Sequence, residues 1–248
     1  MAQTDVLNTP LSINPALNKL RIEETIPELE AGDHLTRREF HRRYEAMPHL
    51  KKAELIEGEV YMGSPVKLNH AEYTYLVAGW LCWYSTMTPG LKGADNGTVL
   101  LDEDNEPQPD IFLRISEEYG GQSWRGEKGY LEGAPELVVE VASSSVSYDL
   151  HGKKTVYRRN GAKEYIVWRV KDQQLDWFTL QEGAFVPLTS DANGIIESSV
   201  FPGLRLAVNA LLTGDMQTVL AELQKGIASP AHQAFVELLQ SKKTNNQD

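Results

Sequence analysis

Hydrophobic residues that recur at intervals of three and four, together with a capping box before them, predict two helices in the first ninety residues. Thr36 and Glu39 have the spacing of a capping box, so the first helix should run from there to about Met47. The second should begin at a capping Asn69 and end near Thr86, before a Pro-Gly pair. Its predicted buried positions are Tyr73, Leu76, Val77, Trp80, Leu81 and Tyr84.

Short apolar runs between and after these helices predict strands. Residues 54–62 should form a hairpin that turns at Gly58. Residues 136–142 contain a continuous branched apolar core, which is typical of a strand covered on both faces. Further strands are predicted at 98–101, 111–115, 164–168, 175–180, 184–188 and 201–206. Residues 116–134 are rich in glycine and polar side chains and should form a long loop.

A third helix should begin at Ser147 or Asp149 and end at Gly161. Two amphipathic helices follow after about residue 215, separated near Ser229-Pro230. This order of elements indicates an α/β fold with a mixed sheet and helices on both faces. We expect a flexible N-terminal arm over 1–30, one main domain over 31–212 and a helical tail over 213–248.

Composition and charge restrict the function. No stretch of about 18 apolar residues exists, and the first thirty residues lack a secretory signal pattern, so a cytoplasmic protein with no membrane contact is expected. Cys82, the single cysteine, rules out an internal disulfide, and its apolar neighbours predict burial. The net charge of −11 argues against strong non-specific nucleic-acid binding. Two basic clusters reduce that objection, although each could be a solvated helix face; they are Arg37, Arg38, His41, Arg42, Arg43, Lys51 and Lys52, and Lys153, Lys154, Arg158, Arg159 and Lys163.

Three residues have the chemistry of a metal-dependent hydrolase. Asp110 opens one predicted strand and Glu140 lies inside the next, so two carboxylates could bind one divalent cation. Lys153, on the following helix, could orient a water molecule or stabilise charge on a phosphate. Each alone has a plain structural explanation, but a carboxylate in the apolar run around Glu140 would be costly to bury without a partner.

The order of these motifs resembles the Uma2 family of restriction endonuclease-like proteins, a branch of the PD-(D/E)xK nuclease superfamily. The resemblance covers roughly residues 35–212. The matching segments are 53–60, Ser64-Pro65 with His70, 109–113, 135–144, 148–157, 161–165 and 201–204.

The resemblance implies a restriction-endonuclease-like fold and a nuclease that uses Mg²⁺ or Mn²⁺. It implies catalytic roles for Asp110, Glu140 and Lys153, with the ion bound at Asp110, Glu140 and Val141. The superfamily pattern places the lysine two residues after the glutamate, where this chain has Ala142. The family pattern places it on the next helix instead.

Asp149, Lys153 and Tyr157 are spaced by four and share one helix face, which selects Lys153 over Lys154, the fallback. Glu54 and His70 are secondary candidates. For Glu54 an exposed hairpin charge is the favoured interpretation, and for His70 a hydrogen bond at the helix start.

The leading hypothesis is therefore a metal-dependent endonuclease that hydrolyses DNA phosphodiester bonds. The alternative is a catalytically silent binding or scaffold protein of the same fold, which the acidic charge favours. A third possibility is hydrolysis of a small phosphorylated molecule. Because the tail helices have apolar faces that could pack on the parent domain or on a second copy, a homodimer is also expected.

Overall fold

The computed structural model of the protein describes residues 26–143 and 145–245. Most of the predicted N-terminal arm therefore lies outside the described residues. Its last part, 26–30, has no regular secondary structure, and Leu29 is buried in one cluster with Phe40 and Met47.

The first half of the chain contains the two predicted helices, the hairpin and the strands predicted at 98–101 and 111–115, together with three short strands that were not predicted. The elements are α1 (Arg37–Glu45), β1 (Ala53–Ile56), β2 (Glu59–Met62), α2 (Leu68–Met87), β3 (Leu91–Asp95), β4 (Val99–Leu100), β5 (Ile111–Ile115), β6 (Trp124–Arg125) and β7 (Leu131–Glu132). A 3-10 turn at Glu117–Tyr119 interrupts the long loop.

The second half begins with the apolar strand and ends with three helices. The elements are β8 (Leu137–Ala142), α3 (Val146–Tyr148), α4 (Lys154–Arg159), β9 (Glu164–Arg169), β10 (Gln174–Gln181), β11 (Ala184–Pro187), β12 (Ile195–Glu197), β13 (Arg205–Ala207), α5 (Val208–Thr213), α6 (Met216–Ile227) and α7 (Pro230–Asn245). A π-helical segment, Asp149–Lys153, joins α3 to α4.

Six strands form the main sheet, in the order β11-β10-β9-β8-β5-β3. The β8–β9 pair is parallel, and the other pairs are antiparallel. The α/β class with a mixed sheet flanked by helices is thus confirmed. Strand β8 is buried along its whole length: Val139 packs towards α2, and Val138 packs towards Tyr157 on α4. Because side chains alternate along a strand, Glu140 faces the α4 side with Val138.

Local expectations fail at two helix starts. The second helix begins at Leu68, so Asn69 lies inside it rather than capping it. The third begins at Val146, with neither Ser147 nor Asp149 as its cap. Asp149 instead accepts a hydrogen bond from Ser145 Oγ at 2.5 Å and is buried.

One strand of the sheet was missed, and one further expectation, the burial of Cys82, is wrong. Strand β3 was not predicted: its Lys-Gly-Ala-Asp sequence is a poor strand former, and β5 imposes the extended conformation through its hydrogen bonds. Cys82 is exposed, because α2 turns that position away from the sheet.

The tail helices pack on the main domain. Val219, Leu223 and Ile227 of α6 and Leu239 of α7 join the same core as Trp80. In the part of the chain that the structure describes, no helix is long and apolar enough to cross a membrane.

Candidate active site

Asp110 and Glu140 meet on neighbouring strands. Ile111 pairs with Val139 across the antiparallel strands β5 and β8, so Asp110 lies opposite Glu140 one step beyond the last pair. Opposed residues of an antiparallel pair share a face of the sheet. The link is also direct, because the backbone N–H of Val141 donates to Asp110 Oδ2 at 2.9 Å. The chain thus brings Asp110, Glu140 and Val141 together.

Lys153 stands at the centre of the buried carboxylates. Its Nζ lies 2.8 Å from Glu54 Oε1, 3.0 Å from Glu140 Oε1 and 3.9 Å from Asp149 Oδ1. Its side chain is only 3 % exposed. A buried ammonium group needs such partners, because an isolated charge in the interior would be strongly destabilised.

The π-helical segment sets the position of this lysine. Asp149 and Lys153 are its first and last residues, and π-helical turns occur frequently at functional sites. Tyr157, one turn further on, donates from its hydroxyl to Glu140 Oε1 at 3.2 Å. Lys154, the fallback candidate, lies outside this group, and its Nζ is 3.3 Å from the ring centroid of Phe178.

Two more basic side chains, both partly exposed, lie close to Asp110. Lys52 Nζ is 3.3 Å and His70 Nε2 is 3.6 Å from Asp110 Oδ1. Lys52 precedes β1, and His70 lies in the first turn of α2. From the sequence alone, Lys52 belongs only to a basic cluster. Lys52 and Asp110 are 58 residues apart, so no spacing in the sequence indicates that they are in contact. The position of Lys52 directly before the hairpin that contains Glu54 is the one sequence feature that could have suggested it.

Glu54 belongs to the site, and the favoured interpretation of it as an exposed hairpin charge is wrong. Its side chain is buried, and Glu54 Oε1 accepts a hydrogen bond from the backbone N–H of Gln108 at 2.7 Å. The nearby Tyr148 hydroxyl is buried and has no hydrogen-bond partner among the described residues. Its ring lies 5.5 Å from Lys153 Nζ.

Burial and charge shift the proton affinities of the site in opposite directions. Burial raises the pKa of Glu140 and of Asp149, and in each case this outweighs the attraction of Lys153. Burial opposes the charge of Lys153, but the carboxylates around it, Glu140 first, raise its pKa well above the ordinary value. For Asp110, burial is outweighed by the hydrogen bond with His70 and the charge of Lys52, which lower its pKa to about 2.

The donor set fits a hard divalent cation that keeps most of its water. Within residues 26–143 and 145–245, no group of three or more His, Cys, Asp or Glu side chains is arranged to enclose an ion. Mg²⁺, however, is commonly held by one or two carboxylates and several waters. A bound cation would favour the ionised forms of Glu140 and Asp149, which burial opposes. Four carboxyl groups and two ammonium groups converge here; they are Glu54, Asp110, Glu140 and Asp149, with Lys52 and Lys153.

A match to a family model shows the family to which the chain belongs. The model of the Uma2 family, whose description is "Putative restriction endonuclease", matches residues 37–209. The chain belongs to the Uma2 family. That match contains Glu54, His70, Asp110, Glu140 and Lys153, and it ends before α6.

A solved structure shares the fold of this Uma2 protein. It is "a putative nuclease belonging to DUF820" from Anabaena variabilis ATCC 29413, with a TM-score of 0.52 and 14 % identity. The alignment covers 69 % of this chain and 96 % of that one. At this identity the likeness shows the fold alone. No curated protein matches this chain.

Two acidic residues of the family-like segments have structural roles away from the cluster. Glu136 accepts hydrogen bonds from the backbone N–H groups of Ile115 and Gln122 and so fixes the start of the long loop. Glu164 accepts from Ser198 Oγ and from the backbone N–H of Ser199, which holds the turn before Phe201. Buried carboxylates of this kind satisfy loop backbone donors that lack other partners.

Proposed function

We propose that this Uma2 protein is a Mg²⁺- or Mn²⁺-dependent endonuclease that hydrolyses phosphodiester bonds in DNA. The main support for the proposal is that three parts of the fold bring Asp110, Glu140 and Lys153 to one place. They are the residue directly before β5, strand β8 and the π-helical segment that follows β8. A cluster with this many buried charges is costly to maintain, and such groups are concentrated at functional sites.

The side chains have distinct tasks in this proposal. A divalent cation, when bound, lowers the pKa of water and neutralises charge on the phosphate. Asp110, ionised at neutral pH and fixed by the Val141 N–H, and Glu140 would hold the ion. Lys153, almost without exposure, acts by fixing Glu140 and Glu54 and by balancing their charge.

Removal of any one of the three residues should remove most of the activity. Purified protein with Mg²⁺ or Mn²⁺ should nick or cut DNA, and Asp110→Ala, Glu140→Ala and Lys153→Ala should each lower the rate about a hundredfold or more. The triple variant should be little worse than the worst single one, because residues that act as one unit are not additive. Gel assays on supercoiled plasmid and on single strands measure these rates.

The matched control is Glu127→Ala, which removes an exposed carboxylate of the long loop. It should cut as the wild type does. Calorimetric titration with Mn²⁺ should show binding to the wild type and to this control, and none to Asp110→Ala.

The scaffold alternative makes the opposite prediction. A wild type that neither binds Mg²⁺ or Mn²⁺ nor cuts any DNA across a broad substrate panel would replace the nuclease proposal with a non-cleaving binding protein. Metal binding without cleavage would direct the search to other phosphodiester or phosphorylated substrates.

We further propose that the protein is a homodimer, since closed two-fold pairs are the commonest oligomers. Support comes from large apolar side chains that α2 exposes, namely Leu68, Tyr75, Trp83 and Met87. Size-exclusion chromatography with light scattering at micromolar concentration should give twice the mass of 27.8 kDa. A single species of monomer mass would contradict the dimer.

A further inference from the structure

We propose that Lys52 is a place-holding cation, which neutralises Asp110 in the metal-free protein and must leave Asp110 Oδ1 when a divalent cation binds. This inference rests on the proposed function, because it assumes that Asp110 is a ligand. It assigns Lys52 a role opposite to that of Lys153: Lys52 competes with the ion, whereas Lys153 supports the site that receives it.

The two oxygens of Asp110 are not equivalent. Oδ2 is 2.9 Å from the backbone nitrogen of Val141, inside the sheet, and accepts its N–H. Oδ1 faces the partly exposed side chains of Lys52 and His70. An ion that arrives from solvent therefore meets Asp110 at the oxygen that Lys52 already contacts.

The two lysines differ in how freely they can move. Lys153 is 3 % exposed and contacts three carboxylates, so its displacement would leave several buried charges unpaired. Lys52 is 26 % exposed and contacts one carboxylate. Its flexible four-carbon stem can carry the ammonium group into water at little cost.

Two consequences follow from competition at one oxygen. The wild type should bind metal more weakly than a protein without the Lys52 charge, because displacement of the ammonium group opposes binding. The metal-free protein without that charge should in turn be less stable, because Asp110 is buried and its nearest ammonium group would be missing. Metal should restore this lost stability.

The decisive experiment is calorimetric titration of Mn²⁺ into the wild type, Lys52→Met and Lys51→Met. Lys51 is the matched control, since it is the adjacent residue, carries the same charge and is exposed, and it has no ion pair with any residue in the described ranges. We expect the Kd of Lys52→Met to fall about tenfold, which corresponds to about 1.4 kcal/mol. The Kd of Lys51→Met should stay within about twofold of the wild-type value, since long-range charge effects in water are weak.

Thermal unfolding gives a second readout that needs no cleavage. Lys52→Met should have a lower Tm than the wild type without metal and a larger rise in Tm on addition of Mn²⁺. An equal or weaker affinity of Lys52→Met, or an equal gain in Lys51→Met, would overturn the place-holder role and leave the metal site intact. A wild type that binds no Mn²⁺ would overturn the metal site itself, so the two failures are distinguishable.

Discussion

At the scale of single residues, the orientation of Glu140 depends on two donors from the helix side of the sheet. Lys153 supplies an ammonium group and Tyr157 a hydroxyl, and both reach Glu140 Oε1. Tyr157 is fully buried, so its ring cannot move aside without disturbing the core. Its hydroxyl is therefore a positioning group that acts through Glu140.

Substitution of Tyr157 by Phe should reduce activity more than its effect on stability explains. Loss of this buried hydrogen bond should lower the free energy of unfolding by about 1 kcal/mol. The freed Glu140 should lower the cleavage rate about tenfold, because small displacements at a reacting centre are costly. Denaturant unfolding and plasmid cleavage at saturating Mg²⁺ measure the two effects.

Tyr84→Phe is the control for this experiment. The Tyr84 side chain is equally buried, but its hydroxyl donates to the backbone carbonyl of Pro202, outside the site. Its loss should lower stability similarly and leave cleavage close to the wild-type rate. Equal losses of cleavage in both variants would mean that Tyr157 serves the fold alone.

Residues of the site differ in how far the sequence predicts them. Asp110 and Glu140 were predicted because each has a distinctive position next to or inside an apolar strand. Lys153 was predicted because the family resemblance places the lysine on the next helix, where the spacing of four from Asp149 favours it over Lys154. Their contacts follow that pattern, while their catalytic roles stay predictions. Lys52 was not predicted as a site residue, because it comes close to Asp110 only through the hydrogen bonds that join the hairpin to residues 106 and 108, in the segment before β5.

At the scale of elements, the helical segment after β8 changes its geometry at the site. Spacing by four predicted a regular helix, but residues Asp149–Lys153 are π-helical. Over only five residues, the spacing of side chains in the sequence cannot distinguish an α-helix from a π-helix. Gly152 lies in this segment, whereas Gly161 ends α4 in the left-handed region with φ +83°.

Alanine at these two glycines should have opposite effects on stability. A Cβ at Gly152 would meet the Tyr148 ring at 3.6 Å, an ordinary contact, and alanine favours helix by up to about 1 kcal/mol. At Gly161 a Cβ would meet no neighbour within 4 Å, but the positive φ should cost about 1 kcal/mol. Thermal unfolding should show Tm shifts of about 2–4 °C in opposite directions for a chain of this length.

A fall in Tm for Gly152→Ala would indicate that the π-helical turn requires the freedom of glycine. The cleavage rate of that variant is then informative. A retained rate at lower stability would separate the geometry of the segment from its function.

At the scale of the whole molecule, the tail continues the core of the domain. The sequence predicted apolar faces on both tail helices, but it could not distinguish packing on the parent domain from packing on a second copy. Helix α6 lies beyond the end of the family match at residue 209, but it contacts α2 and β13, which lie within that match. The domain boundaries themselves stay predictions.

A buried and an exposed leucine of the tail should therefore respond differently to substitution by alanine. Leu223 is fully buried, so Leu223→Ala should lower the free energy of unfolding of the protein by about 2–5 kcal/mol. Leu238, which is 52 % exposed, should change by about 0.5 kcal/mol or less in Leu238→Ala. Urea unfolding measures both, and a silent Leu223→Ala would mean that the tail is not part of the cooperative unit.

The edges of the six-stranded sheet restrict how copies of the chain can associate. One edge is β3, which carries Lys92 and Asp95, and the other is β11, which ends at Pro187. Charged side chains and proline on outer strands discourage the addition of a further strand. A pair of molecules should consequently avoid a continuous intermolecular sheet and meet through helices. Partly unfolded chains should likewise be protected from fibre-like growth at these edges, which favours recovery of the native fold after thermal stress.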